Sequence, residues 1–554
     1  MTNITDYGTP SGADSDMTPI VRAAIEDLAL GKSNSLVFPK GRYHFWPDRA
    51  AEEYLFISNN DESIKRIVFP LSSLADVEID GGGSEFIFHG TLVPFVLRNC
   101  QNVILSNFRM NWERTYHSEA EIVDYRENDG TAIVDLRISD QFPYRIDHER
   151  LWFELEDNSV ECLGQILEFD AIHRETARGA LDNGLYGQYK AVDIGGGVVR
   201  ITGKFHHALT PGNILVMTAG KRLSPGIAVL DSQDIGISDV TIHHCAGMGV
   251  IAQRTRNIDL LRFKVTPDIN DKRMVSATAD AAHFVNCAGL IRIDECLFEN
   301  QMDDPVNIHG IYARISRIVS DRTIEIELVH RQQLGIDITQ AGDTVEFVAN
   351  ENLLTYDEAK VESVKRLNKQ FFMLTLETSL HKSLKVGDGV ASLSWIPDVT
   401  ITRTTSRNNR ARGFLISTAG KVLIEDNYFH IPGAAILIAG DANHWFESGK
   451  VRDITIRNNH FDNCLFGVWG SAVIDIHPEI AADHRDGVYY HKNITIENNR
   501  FDLCDPRVLL AYCVDGLIFR DNQVAWSALY EATGEKSEIV MLEACTNVDI
   551  PVSL

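Results

Sequence analysis

Three stretches decide the fold: ITIRNNHF (454–461), ITIENNRF (494–501) and LIFRDNQV (517–524). Each places apolar residues at its first, third and eighth positions and a polar pair at the fifth and sixth. Alternation at the start is a strand signal, and the Asn/Asp pair supplies a corner where the chain turns. The apolar positions of this frame recur in VILSNFRM (103–110), IGISDVTI (235–242), IDLLRFKV (258–265), IRIDECLF (291–298) and VLIEDNYF (422–429). Starts at 235 and 258, and at 494 and 517, differ by 23 residues, while other intervals carry insertions. A strand-based repeat of this length is the mark of a solenoid, here a right-handed parallel β-helix. Propeller blades of about 40–45 residues do not fit a 23-residue step, and a β-sandwich lacks the repeat.

Helical periodicity is scarce. TPIVRAAIEDLAL (18–30) precedes the strand-like LVFPKGRYHF (36–45), and a helix there would cap the open end of the stack. Residues 111–222 and 311–396 carry strand-rich sequence such as DGTAIVDLRIS and DRTIEIELVH without the coil frame. They read as two small β-barrel subdomains inserted at coil corners, where insertions wall in a binding groove. The expected division is 1–110 as cap and first coils, 111–222 as first insertion and 223–310 as coils with the candidate site. Residues 311–396 form the second insertion and 397–554 the C-terminal coils.

The chain has 554 residues and a net charge of −26, with ordinary globular composition. Such a balance argues against nucleic acid as a partner and weighs against a polyanionic substrate. No stretch approaches the ~18 apolar residues of a membrane span. The opening MTNITDYGTPSGADSD has no basic and apolar leader regions, so localisation is open, with the periplasm or cell exterior expected if a leader was removed. Nine cysteines lack any C-x-x-C pair; Cys245, Cys296, Cys464 and Cys504 read as small buried hydrophobes in the coils. GGG at 81–83 and 195–197 and GK at 220–221 lack the context of a nucleotide loop, and the adjacent His243 and His244 make no metal site unaided.

Chemistry concentrates in SATADAAHFVNC (276–287) and ENQMDDPVNIHG (299–310). Laying Asp280-Ala-Ala-His-Phe beneath Asp304-Pro-Val-Asn-Ile matches the apolar alternation at a step of 24, which stacks Asp280 on Asp304 at a rung spacing of ~4.8 Å. Asp303 adds a third carboxylate, and all three are expected to emerge at a corner facing solvent, because burying them in an apolar solenoid is costly. Stacked like charges resist ionisation, and glycoside hydrolysis uses such a set: one protonated carboxyl donates while an ionised one activates water. Calcium would need about six oxygen ligands, more than this trio offers.

The pattern D-A-x-H-F-x-N-C, followed one coil later by Q-x-D-D-P-x-N-x-H-G, resembles glycoside hydrolase family 110, and GDANHWFESG (440–449) is also similar to a motif of that family. The resemblance covers essentially the whole chain, including two inserted β-barrels. It implies an exo-acting α-1,3-galactosidase for blood-group-B-type or linear α-1,3-galactosyl glycans. It further implies Asp303 as general acid and Asp280 with Asp304 as shared base in an inverting mechanism. No metal or other cofactor is expected. The β-helix glycosidases that cleave polygalacturonan share a comparable aspartate trio.

Around the trio, His283 and His309 are candidates for sugar hydroxyls, and Asn307 either contacts sugar or joins an internal asparagine ladder. Asp441, Trp445 and Glu447 suit sugar recognition, with the indole as a platform for a hexose face. Arg407, Arg410 and Arg412 bind hydroxyls, neutralise the acidic cluster or sit solvated, and Trp469 is a second candidate platform. The competing functions are a β-helix polysaccharide lyase or uronate-cleaving hydrolase and a non-catalytic glycan-binding fibre protein. A homodimer through the inserted barrels is compatible with the sequence.

Overall fold

The computed structural model describes residues 2–8, 15–156, 159–531 and 538–551. Among these, the coils form two long sheets of 21 and 13 strands, paired in parallel from one coil to the next. A typical coil gives two strands to the first sheet and one to the second, as in Lys421–Glu425, Tyr428–His430 and Ile436–Ile438. The chain is a parallel β-helix. The register runs through Val422, Ile454, Ile494, Leu517 and Val548 in successive coils, so the repeat frame read from sequence is the rung frame of the structure.

The corner has a specific cause. In all eight repeats the fifth residue takes the left-handed conformation: Asn107, Asp239, Arg262, Glu295, Asp426, Asn458, Asn498 and Asp521, with φ between 48° and 64°. Asn and Asp tolerate that region because their short side chains bond locally. The residue after it points inward. In the early coils it is Phe108, Val240, Phe263 and Cys296, all buried in the main core. In the later coils it is Asn427, Asn459, Asn499 and Asn522. Each backbone N–H of this ladder donates to the next Asn Oδ1 at 2.9–3.0 Å, and each side-chain amide does the same. The eighth position stacks rings: Phe429, Phe461 and Phe501 lie 4.9 and 4.6 Å apart, nearly parallel.

Helix Thr18–Ala29 packs Val21, Ala24, Ile25 and Leu28 onto the first coil, continuous with the main core. Both insertions leave the stack without disturbing it: Gln233 pairs with Gln101 across the first, and Pro397 with Gly289 across the second. In the first, an eight-stranded antiparallel sheet and a three-stranded sheet, spanning Ser118–Thr218, share one apolar core. The second is a closed six-stranded barrel, Ala313–Ser392. All nine cysteines are unpaired, and the four singled out above are buried. No helix among the described residues is long and apolar enough to cross a membrane.

Candidate active site

Asp280 ends the approach to strand Ala282–Val285, and Asp303 and Asp304 precede strand Val306–Ile311 on the next rung. His283 pairs in register with Asn307, and the Ala281 N–H donates to the Asp304 carbonyl at 3.0 Å. The step of 24 therefore holds, and Asp280 is stacked on Asp304. One carboxylate oxygen from each of the three aspartates lies within 4.8 Å of the others.

The expected exposure does not hold. Asp280, Asp303 and Asp304 are buried at the floor of a cavity of about 670 Å³. What makes burial tolerable is a set of charged partners. Asp303 accepts from Arg410 Nη1 at 2.9 Å and from Arg222 Nη2. Asp304 accepts from Arg412 at three points: backbone N at 3.1 Å, Nε at 3.3 Å and Nη2 at 2.9 Å. Asp280 Oδ2 meets His283 Nδ1 at 2.5 Å. With three guanidinium groups already around the trio, the site is a poor cradle for a divalent cation, which seeks oxygen donors free of competing positive charge.

Electrostatics separate the three groups. Burial, reinforced by the neighbouring Asp303, pushes Asp280 up to about 7. Burial also raises Asp304 to about 7, with Arg412 opposing and Asp303 and Asp280 assisting. Burial works against ionisation of Asp303 too, but Arg410, Arg222 and Arg412 outweigh it and hold that carboxyl below the usual range. The arginines thus favour the ionised form of Asp303, while burial and mutual repulsion favour the protonated forms of the stacked pair. Asp303 nevertheless shows the largest side-chain exposure of the three, 11% against 4% and 3%.

The structure places the other sequence candidates unevenly. His283, Asn307, Arg410, Arg412, Asp441, Trp445, Glu447 and Trp469 line the cavity. Asn307 stands apart from the asparagine ladder, which runs through Asn427 and its successors. His309 is not on the cavity wall: it is buried behind His283, ring nitrogen to ring nitrogen at 3.0 Å, so it meets no sugar directly. Asp441 spends its carboxylate on its own loop, accepting backbone N–H bonds from Asn443, His444 and Trp445. Trp445 is anchored yet open: it is 41% exposed and lines the cavity, while Gln333 of the second barrel holds its carbonyl at 2.9 Å and His330 packs on its ring. Arg407 lies outside, paired with Glu299.

The two insertions contribute differently. The first walls the cavity with Gln165, Asp182 and Asn183 and, at its exit, with Gly220, Lys221 and Arg222. Asp182 clamps Arg410 through two 2.7 Å bonds and accepts from the Trp469 indole at 3.2 Å. The second supplies no lining residue and instead braces the Trp445 loop. Sequence reasoning missed Asp182 and Arg222. Nothing in the local sequence marks Asp182, but Arg222 directly follows the Gly220-Lys221 pair set aside as a failed nucleotide loop. Lys221 also lies on the wall, in an ion pair with Glu161 at 3.7 Å. A further group, Asp475, His477 and Glu479, also lines the cavity, with His477 Nδ1 2.6 Å from Asp475.

Comparison with known proteins agrees with this layout. Residues 118–215 match the model of GLAA-B beta-barrel domain I, and residues 323–390 that of GLAA-B beta-barrel domain II. The chain is 36% identical over 532 residues to "Alpha-1,3-galactosidase A" of Shewanella woodyi, covering 95% of this chain and 86% of that protein. It is 34% identical over 558 residues to "Alpha-1,3-galactosidase B" of Bacteroides thetaiotaomicron, covering 99% and 90%. Among solved structures, the Azotobacter vinelandii mannuronan C-5 epimerase AlgE4 A-module aligns with a TM-score of 0.42 at 9% identity, over 96% of this chain and 98% of that one. With two relatives above one-third identity over nearly all of its length and both barrel domains present, the chain belongs to the α-1,3-galactosidase A/B family of glycoside hydrolases.

Proposed function

We propose that this enzyme is an exo-acting, inverting α-galactosidase that removes terminal α-1,3-linked galactose from blood-group-B-type or linear α-1,3-galactosyl glycans. The observation that carries the reading is the carboxylate trio on the floor of a single cavity flanked by two indoles. A hexose ring stacked on Trp445 or Trp469 leaves its hydroxyl rim to Asn307, Glu447 and the arginines, which is how neutral sugars are gripped. A uronate would have to break the existing arginine–aspartate pairs to be bound.

In the reaction the bond from the anomeric carbon to the bridging oxygen breaks as a water oxygen joins that carbon. Asp303, the most accessible of the three, protonates the leaving oxygen, and the stacked pair accepts the proton lost by water. In the empty site the exchangeable proton rests on the stacked pair. Its passage to Asp303, over less than 4.8 Å, arms the acid and frees the base in one move. Carboxylates this close are tighter than the ~6.5–9.5 Å separation of acid and base in most inverting glycosidases. Inversion here requires the water to sit on the side of the stacked pair remote from Asp303.

Two assays test the reading. Galactose should be released from α-1,3-galactobiose and not from its β-linked counterpart; no release from any α-galactoside would overturn it. Asp303→Asn should lose about 10³-fold or more in kcat on the disaccharide but far less on an aryl α-galactoside, whose leaving group needs no proton. Equal losses on both substrates would remove Asp303 from the acid role.

A further inference from the structure

From the cavity wall inward to His309, three hydrogen bonds run in series through buried groups. Asp280 Oδ2 faces His283 Nδ1 at 2.5 Å, His283 Nε2 faces His309 Nε2 at 3.0 Å, and His309 Nδ1 faces the Gly310 carbonyl at 2.7 Å. The two rings cross at right angles, and all three residues are at most 3% exposed. A carbonyl carries no hydrogen, so the proton of the last bond belongs to His309 Nδ1. Neutral His309 then offers a lone pair at Nε2, and His283 must present Nε2–H to it. Neutral His283 in turn has a lone pair at Nδ1, and the bond to Asp280 needs a hydrogen from the carboxyl side. Three bonds require three protons, whereas two neutral imidazoles supply two.

We propose that Asp280, His283 and His309 form a chain that holds one proton more than its two neutral rings provide, with His309 as the positioning residue that keeps it there. The charged groups around the chain are Glu447, Arg222, Asp303, Asp304 and Arg412. Burial disfavours a charged ring and takes His283 down to about 4, so the extra proton rests on Asp280 in the empty enzyme. That proton removes one of the trio's negative charges beside its three arginines.

The chain also has an outlet. Glu447 arrives on the short ribbon Glu447–Ser448, antiparallel to Gly310–Ile311, with Oε1 3.5 Å from His309 Nε2. When Asp280 takes a proton from water at its other oxygen, the stored proton moves from Oδ2 to His283 Nδ1. The Nε2 proton of His283 then moves to His309 Nε2, and the positive charge ends beside Glu447. No bond other than O–H and N–H changes and no co-reactant is needed. The stored proton follows from the hydrogen bonds alone; its use during hydrolysis rests on the proposed function.

The test is nitrogen-15 NMR of the histidine-labelled, substrate-free protein between pH 6 and 8. The chain predicts His309 protonated at Nδ1 and bare at Nε2, and His283 protonated at Nε2 and bare at Nδ1. His283 protonated at Nδ1 with Nε2 bare would overturn the proposal whatever the enzyme hydrolyses. A second arm uses turnover. His309→Leu removes the acceptor, lets His283 turn its proton toward Asp280 and should cut kcat by about ten- to a hundredfold while KM changes little. It should also raise the alkaline limb of the pH profile, because an ionised Asp280 makes Asp304 hold its proton longer. His309→Gln, whose side-chain oxygen can accept from His283, should restore both. A fall in thermal stability with an unmoved pH profile and no recovery in His309→Gln would mean that His309 only packs.

Discussion

Two ladders of polar residues climb this solenoid, and only one of them is at rest. Asn427, Asn459, Asn499 and Asn522 stack inside the C-terminal coils, where every amide both donates and accepts. Asp280 and Asp304 stack at the same kind of rung spacing on the cavity side. Carboxylates only accept, so this pair has no hydrogen to share unless one of them keeps a proton. The amide ladder satisfies itself and contributes rigidity. The carboxylate stack is satisfied only by arginines, a histidine and a retained proton, and that unsettled state is what makes chemistry available.

The largest break in the comparison comes from mixing the two ladders. Asn459→Asp places an acceptor where the native side chain donates to the Ile424 and Arg457 carbonyls and to Asn499. It should destabilise the fold by about 3–5 kcal/mol, as for an uncompensated buried charge, with a clear drop in Tm by calorimetry. An unchanged Tm would mean the ladder contributes no stability. In the opposite direction, Asp280→Asn gives the carboxylate stack an amide that can donate to His283 as the protonated acid does. Its stability effect follows a definite sign. A carboxyl raised to about 7 stabilises the fold most below its ordinary value of 3.8, and that contribution is lost as pH rises toward 7. The variant should therefore match the parent in Tm at pH 4 and exceed it by about 1–2 °C at pH 8. A lower Tm at both pH values would show that the native carboxyl is not under strain.

The pH profile sharpens the same contrast at smaller amplitude. Hydrolysis needs one exchangeable proton on Asp304 in the free enzyme, from which Asp303 is armed as the acid. kcat/KM should then hold through the mildly acidic range and fall about tenfold per pH unit above about 7, where that proton is lost. A profile that rises through pH 7 would contradict the stored-proton account. The amide ladder has no titratable member and should leave the profile untouched in Asn→Ala variants that still fold.

The contrast between the ladders also explains what could be read from sequence. Rungs repeat, so the apolar frame, the left-handed corner at the fifth position and the 24-residue step from Asp280 to Asp304 are all visible in one dimension. His283, Asn307, Trp445 and Glu447 lie within the quoted segments and were found for that reason. Asp182 was not, because it reaches the cavity from an inserted sheet through Arg410, a contact between residues 228 positions apart. The placement of His309 behind His283 was hidden as well: alternation put it on the same face as Asn307 but could not say that this face turns from cavity to interior. The burial of the trio was misjudged because compensation by Arg222, Arg410 and Arg412 is a three-dimensional property.

In the proposed reaction the stacked pair activates water for direct displacement while Asp303 serves as the acid. This assignment is tested most directly by following α-1,3-galactobiose hydrolysis by proton NMR before mutarotation sets in. The account predicts that β-galactose appears first. Initial α-galactose would contradict it, making one of the close-set carboxylates a nucleophile and the reaction a double displacement.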